Sequence, residues 1–386
     1  MTKLGLTCIS EQLKLKDKQK YSFRTMTRKR FNDLCVKDGR DEAIKELSER
    51  ILHNAYATQH ILAHCRDVGI SHYRLSSNLC PLVTDQTLDL SLRLFPNFDI
   101  IKNELLLAGF MAEDYGISVG MHPDQFNVLA SANETSVNKT IAELNFQAEI
   151  MDMMGLGQDH TCPMNIHING TPPEIKADGV DPDSINNMRI KEMADRFYNN
   201  LMRCDAGVFN RLTIENEDKG FWNVDNIIAF SEYIFHKYNF NIPVCYDNLH
   251  DFCNPSEERN IIFQAERCAY TWVDQRQISG AFQWTLHHQE DLSSNNFLAP
   301  VFHWSEGKPD KPRSHADYFA LGNFPPHIAI DPNNEVKWEC EVKLKDIAIQ
   351  KLIEGMELNS PTSNYHYTKG YAEGWENALD NKQQLV

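Results

Sequence analysis

The chain alternates short apolar runs with longer amphipathic stretches. Eight apolar runs of strand length lie, in order, at Leu4–Ile9, His72–Leu75, Ile117–His122, Met164–Ile168, Leu212–Glu215, Ile242–Asp247, Pro300–Trp304 and within 327–341. Stretches with helical spacing lie near 42–67, 98–115, 136–156, 184–204, 224–238, 256–274 and 342–354. Strands that alternate with helices indicate parallel βα units, and eight of them predict an α/β fold, a (β/α)8 TIM barrel with long loop insertions.

Two segments exceed what a minimal barrel needs. Residues 169–183 are rich in Pro, Gly and Asp, and residues 275–298 lie between the seventh helix and the seventh strand. Long loops of this kind usually serve function. No linker divides the chain, so we expect one domain over 1–386, with a core at about 3–353 and a C-terminal extension at 354–386.

The composition indicates a globular intracellular protein. Hydrophobic residues make up 42% of the 386 residues, which is enough for a large core. No apolar run reaches the length of a membrane span, and the first twenty residues lack the apolar run of a signal peptide. The ten cysteines form no CxxC pair, which favours buried free thiols over disulfides or a zinc knuckle.

The net charge of −16 argues at first against a protein that binds nucleic acid. Acidic residues gathered around metal ions are neutralised when the ions bind, however. The basic residues are also unevenly placed, because residues 13–30 contain eight Lys and Arg against one Asp. This stretch either faces phosphates or is an ordinary solvated basic loop, and composition does not separate the two.

Polar side chains of metal-binding type stand at or just after the ends of six predicted strands. They are His122, His167, Glu215, Asp247, His250, His303 and Glu341. The active site of a TIM barrel lies at the carboxyl ends of its strands, where these residues would meet. Imidazole and carboxylate together suit Zn²⁺, Mn²⁺ or Fe²⁺, and clustered ions assist phosphodiester cleavage. The residues alone predict a metal-dependent barrel enzyme, either a phosphate-ester hydrolase or an aldose isomerase.

Several motifs resemble the UV damage endonuclease family, a TIM-barrel relative of the endonuclease IV type. The most specific are HPDQF at 122–126, TIENED at 213–218 and YDNLH at 246–250. Others occur in the family's order: YRLSSNLCPL (73–82), NIHING (165–170), HWS (303–305), HADY (315–318) and ECEVK (339–343). The resemblance covers about residues 3 to 353.

The resemblance implies a DNA repair endonuclease that incises double-stranded DNA 5′ to UV photoproducts, with abasic sites as secondary substrates. It implies two or three divalent ions, Mn²⁺ first and Mg²⁺ or Zn²⁺ as alternatives, and no obligate protein or membrane partner. By motif match the metal ligands are Asp85, His122, His167, Glu215, Asp247, His250, His303 and Glu341. Glu215, as a bridging ligand, His250 and His303 are the expected catalytic residues.

The resemblance also implies a recognition wedge, formed here by Gln125 and Phe126, that enters the duplex at the lesion. The alternative for Phe126 is an ordinary buried aromatic side chain. Further candidate DNA contacts are Lys18, Lys20, Arg24 and His315. Arg74 is either a phosphate contact or part of a buried salt bridge.

Three positions depart from the family's pattern. Val301 stands where the family usually has a lysine, reported as carboxylated, and valine cannot bind a metal ion. Asp85 replaces a histidine, which we interpret as a ligand swap, and Phe126 replaces a tyrosine. His287 and His288 are an alternative to His303. These departures leave two other hypotheses: a lesion-binding protein with impaired incision, and another metal-dependent barrel hydrolase or isomerase.

Overall fold

Eight parallel strands form one sheet. The structure is a computed structural model that describes residues 2–124, 126–175, 179–273, 297–329 and 334–358. The sheet consists of β1 (Lys3–Thr7), β2 (His72–Leu75), β3 (Ser118–Met121), β4 (Met164–His167), β5 (Leu212–Glu215), β6 (Val244–Cys245), β7 (Val301–Trp304) and β10 (Lys337–Cys340). A separate antiparallel hairpin contains β8 (Gly307–Lys308) and β9 (Lys311–His315).

The order of the strands is that of a barrel. It runs β6-β5-β4-β3-β2-β1-β10-β7, so that β6 and β7 are the two ends of the sheet. A parallel bridge between Asp247 and His303 joins these ends, and the His303 N–H donates to the Tyr246 carbonyl oxygen at 2.9 Å. The predicted TIM barrel is therefore confirmed.

Helices follow the strands along the chain. They are α1 (Glu11–Lys16), α2 (Lys18–Tyr21), α3 (Arg28–Asp38), α4 (Arg40–Asp67), α5 (Phe98–Asp114), α6 (Glu134–Met153), α7 (Pro182–Leu201), α8 (Ala206–Phe209), α9 (Val224–Tyr238), α10 (Asn248–Cys253), α11 (Ile261–Ala269) and α12 (Lys345–Leu358). Most begin at a side-chain cap, such as Asp181 before α7 and Asn223 before α9. Among the described residues, no helix is long and apolar enough to cross a membrane.

Side chains alternate along each strand between the barrel interior and the surrounding helices. On β2 the interior residue His72 fills space that two glycines leave open. A Cβ atom at Gly5 would lie 3.0 Å from His72 Cδ2, and one at Gly120 would lie 3.3 Å from His72 Nε2. These glycines allow the imidazole to reach Glu339 across the barrel, at 2.9 Å from Nε2 to Oε1.

All eight predicted strand runs contain a strand. The first run ends earlier than expected, because Cys8 has a left-handed φ of 66° that stops β1 at Thr7. All ten cysteines are free and six are buried, as the composition indicated. His287 and His288 lie outside the described residues, so this alternative to His303 has no structural test.

Candidate metal centre

Seven of the eight predicted ligands meet at the carboxyl ends of the strands. Their nitrogen and oxygen atoms form groups of three in which all ligand atoms lie within 4.8 Å of one another. The groups are His122 with His167 and Glu215; Glu215 with Asp247 and His250; Asp247 with His303 and Glu341; and Glu215 with Cys245 and His303. Each buried ionic group of such a cluster costs desolvation energy that only its partners offset.

Glu215 is the centre of the cluster and is 1% exposed. Its Oε2 lies 3.1 Å from His122 Nε2, and its Oε1 lies 3.0 Å from His250 Nδ1 and 3.2 Å from His303 Nδ1. A carboxylate that faces three imidazoles through its two oxygens combines the donor types that divalent transition-metal ions accept.

Neighbouring side chains fix the orientation of Glu215. Asn165, two residues before His167 on β4, donates from Nδ2 to Glu215 Oε2 at 2.5 Å. The Thr213 hydroxyl donates to Asn165 Oδ1 at 3.0 Å, which sets the amide orientation. The carboxylate is thus held in one rotamer before any ion binds.

Asp247 and His250 are placed by a helix cap. Asp247 is the N-cap of α10, and its Oδ1 accepts a hydrogen bond from the His250 backbone N–H at 2.7 Å. The short helix turns the His250 ring toward Glu215. In the sequence DNLH, one carboxylate oxygen of Asp247 caps the helix and the other faces the cluster.

A buried ion-pair network lies behind His303. His303 Nε2 is 3.2 Å from Glu339 Oε2, and Glu339 also contacts His72 at 2.9 Å and Arg74 at 2.9 Å. Arg74 pairs with Glu341 as well. The salt-bridge alternative for Arg74 is confirmed, and the guanidinium is too enclosed for a primary role as an external phosphate contact.

Burial and neighbouring charges shift the pKa values of the site residues in different directions. Burial disfavours the charge of Glu215, but the imidazoles of His303 and His167 hold its pKa well below the ordinary value. Burial also disfavours imidazolium at His250, yet Asp247 and Glu215 raise its pKa to about 10. Burial lowers the pKa of His167 to about 4, so that this ring is neutral at physiological pH.

Three buried atoms of the cluster make no hydrogen bond with the described residues. They are His167 Nδ1, His303 Nδ1 and Asp247 Oδ2. A buried polar atom without a partner costs about 1–3 kcal/mol. Ring nitrogens and carboxylate oxygens are donors that divalent cations accept, so the residues present fit a metal cluster.

Asp85 lies apart from the cluster. Its Oδ2 accepts a hydrogen bond from Arg28 Nε at 2.6 Å, and its Oδ1 accepts from the Thr87 backbone and hydroxyl. It belongs to none of the ligand groups among the described residues. Val301 is buried on β7 opposite Lys337, and it contributes no donor atom to the site.

The candidate DNA contacts are mostly exposed. Phe126 is 77% exposed in the loop after β3, so the alternative of a buried core aromatic is wrong. Gln125 lies outside the described residues. Lys18, Lys20 and Arg24 are exposed in the segment after β1, and no described carboxylate forms a salt bridge with them. His315 ends β9 with Nε2 3.8 Å from Glu341 Oε2, which brings the hairpin to the rim of the cluster.

Sequence reasoning missed four residues of this site: His72, Asn165, Cys245 and Glu339. A usable signal was present for three of them. Asn165, Cys245 and Glu339 each stand two residues before a predicted ligand, and residues two apart on a strand face the same side. His72 begins its strand, and only the strand register reveals its contact with Glu339.

Comparison with known proteins agrees with this architecture. A sequence model of the family described as UV-endonuclease UvdE matches residues 2–368. The UV DNA damage endonuclease of Bacillus cereus (strain G9842) is 24% identical over 340 residues, covering 86% of this chain and 88% of the relative. That of Bacillus pumilus (strain SAFR-032) is 23% identical over 358 residues, covering 91% and 93%. The crystal structure of SacUVDE superposes with a TM-score of 0.67 at 22% identity, covering 94% of this chain and 100% of that one.

Proposed function

We propose that this chain, which belongs to the UV-endonuclease UvdE family and is an endonuclease of DNA repair, incises double-stranded DNA immediately 5′ to UV photoproducts. Abasic sites are proposed secondary substrates. The observation that carries the proposal is the cluster around Glu215, in which seven predicted ligands converge and three buried atoms make no hydrogen bond with the described residues. Buried polar atoms that serve only the fold are rarely left without a hydrogen bond.

The proposed ligands are His122, His167, Glu215, Asp247, His250, His303 and Glu341. Two or three bound divalent ions, Mn²⁺ being the first choice, would neutralise the phosphodiester and lower the pKa of an attacking water. Glu215 faces three imidazoles and so can bridge two cations. Asp85 is not proposed as a ligand in the described conformation, because Arg28 and Thr87 occupy its carboxylate.

Neighbouring side chains would hold the proposed ligands in place. Asn165 holds Glu215, and Glu339 holds His303, so that neither ligand can turn away when the phosphate enters. The neutral ring of His167 presents a nitrogen without a competing proton. His250 carries a proton that a cation must displace on binding.

DNA recognition is proposed for the loop after β3 and the segment after β1. Phe126 would enter the duplex where stacking is already weak, since unstacking a step costs a few kcal/mol in intact DNA and least at damaged bases. Lys18, Lys20 and Arg24 would contact phosphates, which offsets the overall negative charge of the protein locally.

The test uses purified protein with UV-irradiated and unirradiated supercoiled plasmid. We expect nicking of irradiated plasmid in Mn²⁺, no nicking of unirradiated plasmid, and loss of all nicking with a chelator. Tight binding to irradiated plasmid without nicking would instead identify a lesion-binding protein. Equal nicking of both plasmids would show that the protein is a nuclease without specificity for damage.

A further inference from the structure

Cys245 lies inside the ligand cluster. It ends β6 directly opposite Glu215 in the strand register, and it is 1% exposed. Its Sγ, a carboxylate oxygen of Glu215 and a ring nitrogen of His303 all lie within 4.8 Å of one another. In the described part of the chain it is the only one of the ten cysteines that joins such a group.

A second observation points to a ligand in the same space. His303 is 1% exposed, and its Nδ1 forms no hydrogen bond with the described residues although Glu215 Oε1 is 3.2 Å away. The opposite ring nitrogen is occupied by Glu339. Nδ1 therefore faces the region that Cys245 and Glu215 enclose, and a cation there would replace the proton on this nitrogen.

The chemistry of the three donors differs from that of the rest of the cluster. The other groups contain only imidazole and carboxylate, which suit Mn²⁺ and Mg²⁺ as well as Zn²⁺. A thiolate favours softer ions and binds Zn²⁺ and Co²⁺ far better than Mn²⁺. A sulfur ligand thus makes one position of the cluster chemically distinct from its neighbours.

We propose that Cys245, Glu215 and His303 form a thiolate-containing metal position that selects an ion of the Zn²⁺ class. Binding breaks the S–H bond, releases the proton to solvent and forms a metal–sulfur bond, with no change of oxidation state. The position shares Glu215 and His303 with the cluster of the proposed function, so the inference rests on that cluster but does not depend on DNA incision.

The experiment uses Co²⁺ as a spectroscopic probe of the full-length protein in the absence of DNA. Wild type, Cys245→Ser and Cys268→Ser are freed of metal and titrated with Co²⁺. Cys268 is the matched control, because it is equally buried on α11, next to β6, and belongs to no ligand group of the described residues. Sulfur-to-cobalt charge transfer gives an intense near-ultraviolet band that nitrogen and oxygen ligands do not give.

We expect the band in wild type and Cys268→Ser and its loss in Cys245→Ser. Zn²⁺ affinity, measured by competition with a chelator, should fall by at least about tenfold in Cys245→Ser, in the range known for perturbed zinc sites. Mn²⁺ affinity should change less. Absence of the band in wild type, or its persistence in Cys245→Ser, overturns the proposal.

A measurement on wild type covers the case in which Cys245→Ser does not fold. X-ray absorption of the Zn²⁺-loaded protein should contain a sulfur scatterer at about 2.3 Å, and a shell of nitrogen and oxygen alone contradicts the proposal. Plasmid nicking in Mn²⁺ is scored separately. Nicking without a sulfur ligand rejects only the thiolate position, whereas a sulfur ligand without nicking rejects only the proposed function.

Discussion

At the scale of single residues, the site depends on buried charges that stabilise one another. Glu215 contacts three histidines, and His303 contacts carboxylates through both ring nitrogens. Removal of one partner from a buried pair leaves an uncompensated charge, which typically costs about 3–5 kcal/mol. The substitutions that test the site therefore keep the shape of the side chain, and folding is measured for each variant.

Glu215→Gln should abolish nicking and leave the fold intact. A neutral amide cannot hold two cations together, whereas its size and its hydrogen bond with Asn165 can be retained after an amide flip. Nicking of irradiated plasmid, metal content and the circular dichroism spectrum are the measurements. Glu266→Gln, on the exposed side of α11, is the control. Wild-type incision by folded Glu215→Gln would refute the assignment of the cluster.

Glu339→Gln should weaken divalent-ion affinity by about 10–100-fold, the usual cost of losing a partner behind a ligating histidine. Arg74 still pairs with Glu341 in this variant, whereas His303 and His72 lose the carboxylate that faces them. Affinity is measured by titration with Mn²⁺, and binding to undamaged duplex should not change. Unaltered Mn²⁺ affinity would show that Glu339 does not position His303.

At the scale of elements, sequence predicted the strands well because a parallel strand buried on both faces is a nearly continuous apolar run. Seven of the predicted ligands meet in the structure because each stands at or just after a strand end. Cys245 and Glu339 each stand two residues before a predicted ligand, but their contacts with Glu215 and His303 depend on which strands become neighbours. Asp85 illustrates the same limit, since only tertiary structure places Arg28 beside its carboxylate.

Lesion recognition is tested at Phe126, in the loop after β3. Phe126→Ala should lose about 1–3 kcal/mol of affinity for a duplex with a cyclobutane dimer, as for a lost base–aromatic stack. Affinity for undamaged duplex, metal content and melting temperature should hardly change, because the side chain is 77% exposed. Phe110→Ala, 56% exposed on α5, is the control. Undiminished discrimination by Phe126→Ala would reject the wedge.

The segment after β1 is tested by salt dependence. Neutralising Lys18, Lys20 and Arg24 together should weaken binding to damaged and undamaged DNA alike. The slope of log K against log salt should flatten by about one unit for each phosphate that the protein no longer neutralises. The control neutralises three exposed lysines on α5, α6 and α7, namely Lys102, Lys139 and Lys191. An unchanged slope would show that these residues do not contact phosphates and belong to an ordinary solvated loop.

At the scale of the whole molecule, the two ends of the barrel have different tasks. The carboxyl end gathers the ligands, while Lys3 and Lys337 stand side by side at the amino end. Burial, with a smaller contribution from Lys3, lowers the pKa of Lys337 to about 8. The folded protein then binds fewer protons than the unfolded chain between this pKa and the ordinary value of 10.5, so stability rises with pH across that interval.

Lys337→Met should remove this penalty. We expect a gain on the order of 1–3 kcal/mol in the free energy of unfolding at pH 7, and a flatter stability profile above pH 8. Urea unfolding at several pH values measures both, and plasmid nicking should be unaffected at the far end of the barrel. A loss of stability at every pH would mean that the lysine stem contributes more packing than its charge costs.

The central claim is that the metal cluster performs damage-directed incision, and a duplex with one cyclobutane dimer tests it most directly. The strand carrying the dimer is end-labelled, incubated with the protein in Mn²⁺ or in chelator, and its products are mapped to the nucleotide. The account predicts one cut immediately 5′ to the dimer, with a 3′-hydroxyl that a polymerase can extend, and no cut in chelator or in the undamaged duplex. Cutting that ignores the dimer, or that persists in chelator, would contradict it.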